Sequence, residues 1–521
     1  MKATILIAFM LLSCDFTWAQ GRSGSNSTRN LPKPLDQVSS WSQADYNFFL
    51  HGSMSTEVVP ESVLRAFIQI YPDLFPKDDL SNFGLIPDSQ FGWPIGFSRT
   101  NVKHLGNLSS IGLNCAGCHV GDVVGPKDQR VRVLGMTSDF YAEAYFGSVI
   151  VATFRTAAPT NMARFIGEYF PGSKEQCDAQ AKKIAAAVAE DPFGAKGIAA
   201  GSLYDITAEE VSPAHYMRAN PPDLATFTRA IVKLFHNMRA SLHVPDQPPD
   251  KAPPASGPGR NDAFGLLSFA LFNTPQPYGP VKYGLVWNVA ERPWVHWDGN
   301  TRSPIGRNLL ASLGLGAPLL GKHGQLDFAL VKHQTDLSET IKSPRYPFAI
   351  DDAAAKRGKA HYQAQCASCH DGKESDARLY AVSDVGTDPV RATAFSPAQA
   401  QLFNNFLRNL ESPGYEPSKV PGLRSTQKYW AASLPGVWAR SPYLHNGSVR
   451  TMQELLTSPA QRAKSFHRGS RTYDTEQMGY KDDGQYVLDT TTSGNSNSGH
   501  DYGTKLSGDE KKDLIEFLKT L

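Results

Sequence analysis

Cysteine is scarce in this chain: 521 residues hold six, at positions 14, 115, 118, 177, 366 and 369. Cys14 lies in an N-terminal apolar stretch, and the five that remain are an odd number, which argues against a simple disulfide framework. An excess of charge of one sign is also missing. Lys+Arg 52 against Asp+Glu 50 gives a net charge of +2, which speaks against a nucleic-acid binder or a polybasic membrane-surface protein. Beyond the N-terminus no run approaches 18 apolar residues, so no transmembrane helix is expected. What is present is 41% hydrophobic residues with 20% charged, ample for sizeable cores and too mixed for disorder. Gly 43 and Pro 36 are slightly above ordinary usage and predict long loops.

The N-terminus reads as a processing signal over residues 1–19. Lys2 supplies the charge, Ala3 to Leu12 an apolar stretch too short to span a bilayer, and Thr17-Trp18-Ala19 resembles a cleavage site. Leu11-Leu12-Ser13-Cys14 offers a second reading, a lipoprotein box with lipid on Cys14. The expectation is an exported protein, periplasmic or secreted, in contact with a membrane only if Cys14 is lipidated.

Four cysteines form two short motifs, Cys115-Ala116-Gly117-Cys118-His119 and Cys366-Ala367-Ser368-Cys369-His370. C-x-x-C-H is the attachment signature of c-type haem, and chance would give about 0.002 matches in a chain of this composition. Two thiols at this spacing can form thioethers to the two vinyls of one porphyrin, and the next residue supplies an imidazole to the iron. A redox dithiol or half of a zinc site leaves the repeated histidine unexplained. The reading is two covalent haem c groups, haem 1 on Cys115, Cys118 and His119, and haem 2 on Cys366, Cys369 and His370. Cys177 has no partner in sequence and reads as a free thiol.

The predicted fold is mainly α: two cytochrome c-like haem-binding units with long loops and a large insertion around haem 1. Residues 343–521 read as a small cytochrome c domain. Asp351 to Tyr362 is helix-forming, with Gly358 and Tyr362 on one face. Ser507-Gly508-Asp509-Glu510 is a capping box opening a final helix whose apolar face is Leu514, Ile515, Phe517, Leu518 and Leu521. In the region 20–342, residues 107–114 look turn-like. Helical patterns follow at about 137–156, 174–190 and 222–241, and then a proline-rich loop at 244–259. Cys115 and Cys366 are about 250 residues apart, where a tandem of small domains needs only about a hundred.

These residues give the chain a resemblance to the rubber-oxygenase family of dihaem c-type cytochromes. That group includes dihaem fatty-acid dioxygenases and is related to the bacterial dihaem cytochrome c peroxidases. The match lies in Gly112-Leu113-Asn114, Pro258 to Phe264, His296-Trp297-Asp298-Gly299-Asn300 and Gly386-Thr387-Asp388-Pro389. It continues through Ala439 to Val449, Phe466 to Ser470 with Tyr473-Asp474, and Gly494 to His500. The resemblance implies that Trp297 lies between the haems and conducts electrons. It implies His500 as the sixth ligand of haem 2, beside the proximal ligands His119 and His370, with His445 and Met452 as lesser candidates. Met452 falls in a helical apolar set with Leu455 and Leu456 and reads as core.

For haem 1 no sixth ligand is evident; His104, His296 and His323 are possible. Trp294, His296 and Trp297 form an aromatic cluster that could wall an open distal pocket and take part in catalysis, and an open apolar pocket favours O₂. The family's Glu two residues before Asn308 is replaced by Gly306, which departs from peroxide-type acid/base chemistry. The expected function is a haem-dependent oxidoreductase, with O₂ or hydrogen peroxide at haem 1 and electron relay at haem 2, acting on an unsaturated apolar substrate. Alternatives are a dihaem peroxidase fed by a small redox-protein donor, and a non-enzymatic electron carrier.

Overall fold

The computed structural model describes residues 33–170, 172–199, 201–220, 222–244, 256–272, 278–318, 326–372, 378–410 and 422–521. The signal segment with Cys14, most of the proline-rich loop and His323 lie outside them. Helices dominate and strands are short, as a mainly α fold requires. Among the described residues, no helix is long and apolar enough to cross a membrane.

The first region is built on a helical layer: Glu61–Ile70 (α1), Ala142–Thr156 (α2), Pro159–Tyr169 (α3), Ala181–Glu190 (α4) and Leu224–Ser241 (α5). Phe67, Phe165 and Phe235 from α1, α3 and α5 meet with ring centroids 5.3–5.8 Å apart. Cys177 is buried in this core as a free thiol bonded to Ser173. Residues 137–141 precede α2 as irregular chain, so the predicted helix starts later than expected.

The stretch before Cys115 corrects the sequence reading. Leu108–Leu113 is not a turn but a strand (β2), antiparallel to Phe97–Val102 (β1). The two form a hairpin in which Val102 pairs with Leu108, and Val59–Pro60 pairs on the other edge of β2; pairing on both edges overrides weak local preference. A second core cluster draws on both sides of residue 342. It contains Val120, Val133, Trp287, Tyr362, Trp438 and Leu514, and Trp287 and Trp438 donate their indole N–H groups to the Pro435 and Pro344 carbonyls.

The C-terminal helix pair forms as its sequence predicts. Asp351 caps the helix Asp352–Gln365 (α6), and Ser507 with Glu510 makes the capping box of Gly508–Lys519 (α7). The two cross at Gly358, where a Cβ would stand 1.9 Å from the Asp513 carbonyl oxygen. Arg357 clasps Asp513, and Tyr362 packs on Phe517 at 5.0 Å. Overpacking costs about 1–3 kcal/mol and more where backbone must move. Gly358→Val is therefore expected to destabilise the protein by at least about 2 kcal/mol, read as a lowered thermal midpoint.

Candidate functional site

The first motif is held by its approach. Asn114 caps the short helix Cys115–His119: its side chain accepts from the Ala116 amide and donates to the Phe49 and Gly52 carbonyls. Gly112 lies where a Cβ would meet the Thr56 carbonyl at 2.3 Å. Gly-Leu-Asn is thus a backbone device that presents Cys115, Cys118 and His119 to one wall of a cavity of about 310 Å³.

His296 stands on another part of that wall. Its Nδ1 donates to Asn300 Oδ1 (2.8 Å), an oxygen that also accepts from the Thr301 hydroxyl. The bond leaves Nε2 with its lone pair free. Its backbone is left-handed (φ +70°), a costly conformation for a non-glycine residue that the surroundings must over-determine. Burial holds both His119 and His296 neutral, pushed down to about 3. Among the described residues, the aromatic ring in contact with His119 is Tyr283 at 6.4 Å; His296 is not within such reach.

Trp294 and Trp297 also line the cavity. The Arg424 guanidinium lies 3.6 Å over the Trp294 ring. Trp297 donates its indole N–H to the Lys282 carbonyl (3.0 Å) and accepts from the Trp430 amide (2.8 Å). In the same motif Asp298 forms a buried ion pair with Arg391 (3.2 Å), and Gly299 turns beneath Trp430 at φ +56°. Trp-Asp-Gly therefore joins a wall residue, a charge anchor and a left-handed turn. His104 is buried with Nε2 on Ser241 and is not in the cavity wall, so it drops out as a ligand.

The second motif is built differently. His370 donates from Nδ1 to the Ala432 carbonyl (2.8 Å), which leaves Nε2 as the ligating nitrogen. Opposite it stands His500, ring centroids 6.4 Å apart. A metal–imidazole bond is about 2 Å, so two imidazoles on opposite sides of one iron place their centroids about 6 Å apart. The pair fits a haem iron between them. Burial lowers His370 and brings His500 to about 4, the neutral state a ligand needs.

His500 is fixed through its backbone. Its amide donates to the Val385 carbonyl (2.8 Å), and Arg462 donates to the carbonyls of Asn497, Gly499 and His500. Gly499 passes so close to Gly386 that a Cβ would meet it at 2.2 Å. Asp388 accepts from the amides of Gly494 and Ser496. The Gly386-Thr387-Asp388 segment is thus the seat of the His500 loop. His445 instead stacks on Tyr429 at 4.1 Å and bonds its hydroxyl, and Met452 is core; neither faces His370 as His500 does. Ala432 and Trp430 line the first cavity too, so one short segment touches both motifs' surroundings.

Sequence reasoning missed Arg307, Lys282 and Glu143 in the cavity wall. The available signal for Arg307 was a lone charge on the apolar face of a helix.

A crossed helix pair beside a C-x-x-C-H motif, with an imidazole on either side, defines a c-type cytochrome. Residues 353–429 match the family described as cytochrome c oxidase, cbb3-type, subunit III, and residues 428–467 match that described as RoxA-like, cytochrome c-like. Protein y4iM of Sinorhizobium fredii, named as uncharacterized, is 32% identical over 320 residues, 52% of this chain and 72% of that protein. Protein y4iJ of the same organism, likewise named, is 24% identical over 634 residues, 99% of this chain and 98% of that protein. The chain belongs to the family of y4iM and is a c-type cytochrome of the RoxA-like kind, a redox protein with covalently bound haem c.

Proposed function

We propose that the protein is an exported dihaem oxidoreductase in which haem 1 is the reactive centre and haem 2 an electron relay, and that it adds O₂ to an unsaturated apolar substrate. The observation that carries this reading is the asymmetry of the two centres. His370 faces His500 at the separation of a six-coordinate iron, whereas among the described residues no second histidine ring stands at that separation from His119, which borders a cavity.

Cys115, Cys118 and His119 would hold haem 1, and a haem there supplies an iron able to activate O₂. Phe264, Leu267 and Ala270 exclude water from the cavity and receive hydrocarbon. His296 presents a neutral Nε2 whose orientation Asn300 fixes, suited to hold a proton or a hydrogen bond beside the reacting atoms. Trp297 abuts the cavity and, through its bond to the Trp430 amide, is joined to the strand leading to Ala432 and His370. That is a short covalent and hydrogen-bonded route for electrons.

The neutral Nε2 of His296 also favours a second reading, hydrogen-peroxide reduction, because it can accept a proton from a peroxide. Against it stand Gly306 in place of the acidic residue and Met452 locked in the core.

Carbon monoxide added to the reduced protein is expected to bind one iron per chain. No binding would leave an electron carrier alone. With an unsaturated hydrocarbon and ¹⁸O₂ the oxygenase incorporates label without an added reductant. Donor-dependent peroxide turnover without incorporation from O₂ would identify the peroxidase. His296→Ala is expected to lower the rate about 10²-fold or more, in keeping with a positioned proton-handling group, while both haems remain.

A further inference from the structure

Two indole rings in the cavity wall lie beneath cations. The Lys282 ammonium stands 5.1 Å over the Trp297 ring, and the Arg424 guanidinium 3.6 Å over that of Trp294. Backbone groups hold each cation in place. Lys282 is buried, and its Nζ donates to the carbonyls of Arg440 and Pro442 (2.7 Å to the latter). The Arg424 Nε donates to the Gly299 carbonyl (3.0 Å), in the turn that follows Trp297. Lys282 grips Trp297 twice, since its own carbonyl accepts the indole N–H (3.0 Å). Arg391 lies over Phe264 at 5.1 Å, but there Asp298 pairs with the cation, and the ring is a phenyl, which yields electrons far less readily.

A cation over an indole face attracts the ring's electrons and opposes their removal. At 5.1 Å and an effective dielectric of about 20, a unit charge disfavours the one-electron-oxidised ring on the order of a hundredfold. An oxidised indole is stabilised by losing its N–H proton to a base. The Trp297 N–H faces an amide carbonyl, which accepts a hydrogen bond but not a proton. A haem that handles O₂ or peroxide endangers the rings beside it. Summed, indole and hydrogen peroxide become hydroxyindole and water: the indole gives two electrons and the O–O bond breaks. One oxygen enters a ring C–H bond, and the other leaves as water with both peroxide hydrogens. We propose that Lys282 and Arg424 protect Trp297 and Trp294 from oxidation by haem 1. Oxidising equivalents then stay available for substrate, and electrons cross Trp297 without residing on its ring. This rests on the reading of haem 1 as the reactive centre.

The test treats the ferric holoprotein with hydrogen peroxide in the absence of an organic substrate and maps the oxygen gained at each tryptophan by peptide mass spectrometry. Lys282→Met is expected to raise oxidation of Trp297 at least about tenfold and to leave Trp294 unchanged. Arg424→Met does the reverse, and Arg424→Lys, which keeps the charge, keeps the protection. Unchanged oxidation of each indole in its own variant overturns the proposal. Equal oxidation of all tryptophans in either variant, the mark of loosened packing, overturns it too. Should Lys282→Met fail to fold, the pair Arg424→Met and Arg424→Lys decides alone. Carbon monoxide tells two failures apart. A protein that binds it, yet whose tryptophans resist peroxide in every variant, overturns the proposal and leaves the reading of haem 1 intact. A protein that binds none removes that reading as well.

Discussion

If the protein carries the two haems proposed above, replacing Cys115 and Cys118 together by alanine is expected to lower the covalently bound haem from two per chain to one, and to abolish carbon-monoxide binding. Both thiols line the cavity together with His119, and no disulfide engages them. Burial pushes Cys115 up to about 11 and Cys118 up to about 12, so both remain protonated thiols at neutral pH in the absence of haem. The matching change at Cys366 and Cys369 removes the other haem and leaves carbon-monoxide binding at haem 1. Haem counted on denatured protein against chain concentration gives the stoichiometry. Extraction of both haems by acidified organic solvent from the unaltered chain would defeat the covalent assignment.

The second large effect belongs to His500. In His500→Ala the loop keeps its place, because the bonds from Arg462 and to Val385 are made by backbone groups, but the imidazole facing His370 is gone. A strong-field ligand is lost, and haem 2 is expected to change from low-spin to high-spin or water-ligated. The number of irons that bind carbon monoxide rises from one to two, while the haem 1 spectrum is unchanged. Electron paramagnetic resonance on the ferric protein separates the two centres. An unaltered haem 2 signal in this variant would return the ligand to His445 or Met452.

Much of this was legible because it is local. The capping box Ser507–Glu510, the small residue Gly358 four places before Tyr362, and the two C-x-x-C-H motifs act over a few residues. Their chemistry does not wait on the rest of the fold. Met452 read as core from its spacing with Leu455 and Leu456, and it is core. The strand Leu108–Leu113 was not legible, since its hydrogen bonds come from Phe97–Val102. His104 and His296 could not be told apart in sequence. One is satisfied by Ser241 and the other turns Nε2 to a cavity, a difference made by partners far along the chain or by a left-handed backbone.

By itself, then, the sequence determined that the chain is a c-type cytochrome, where thiols and proximal imidazoles lie, and how the terminal helices are capped and crossed, because each of these depends on residue identity at short spacing. Only the tertiary structure decided which histidine answers which. The pairing of His500 with His370 requires the seat made by Val385, Gly386 and Arg462, segments separated by more than seventy residues. The placing of Trp294, His296 and Trp297 in one wall with Cys115, Cys118 and His119 follows from helices and loops meeting around a common cavity. Spacing along a chain carries no information on the volume that distant segments enclose.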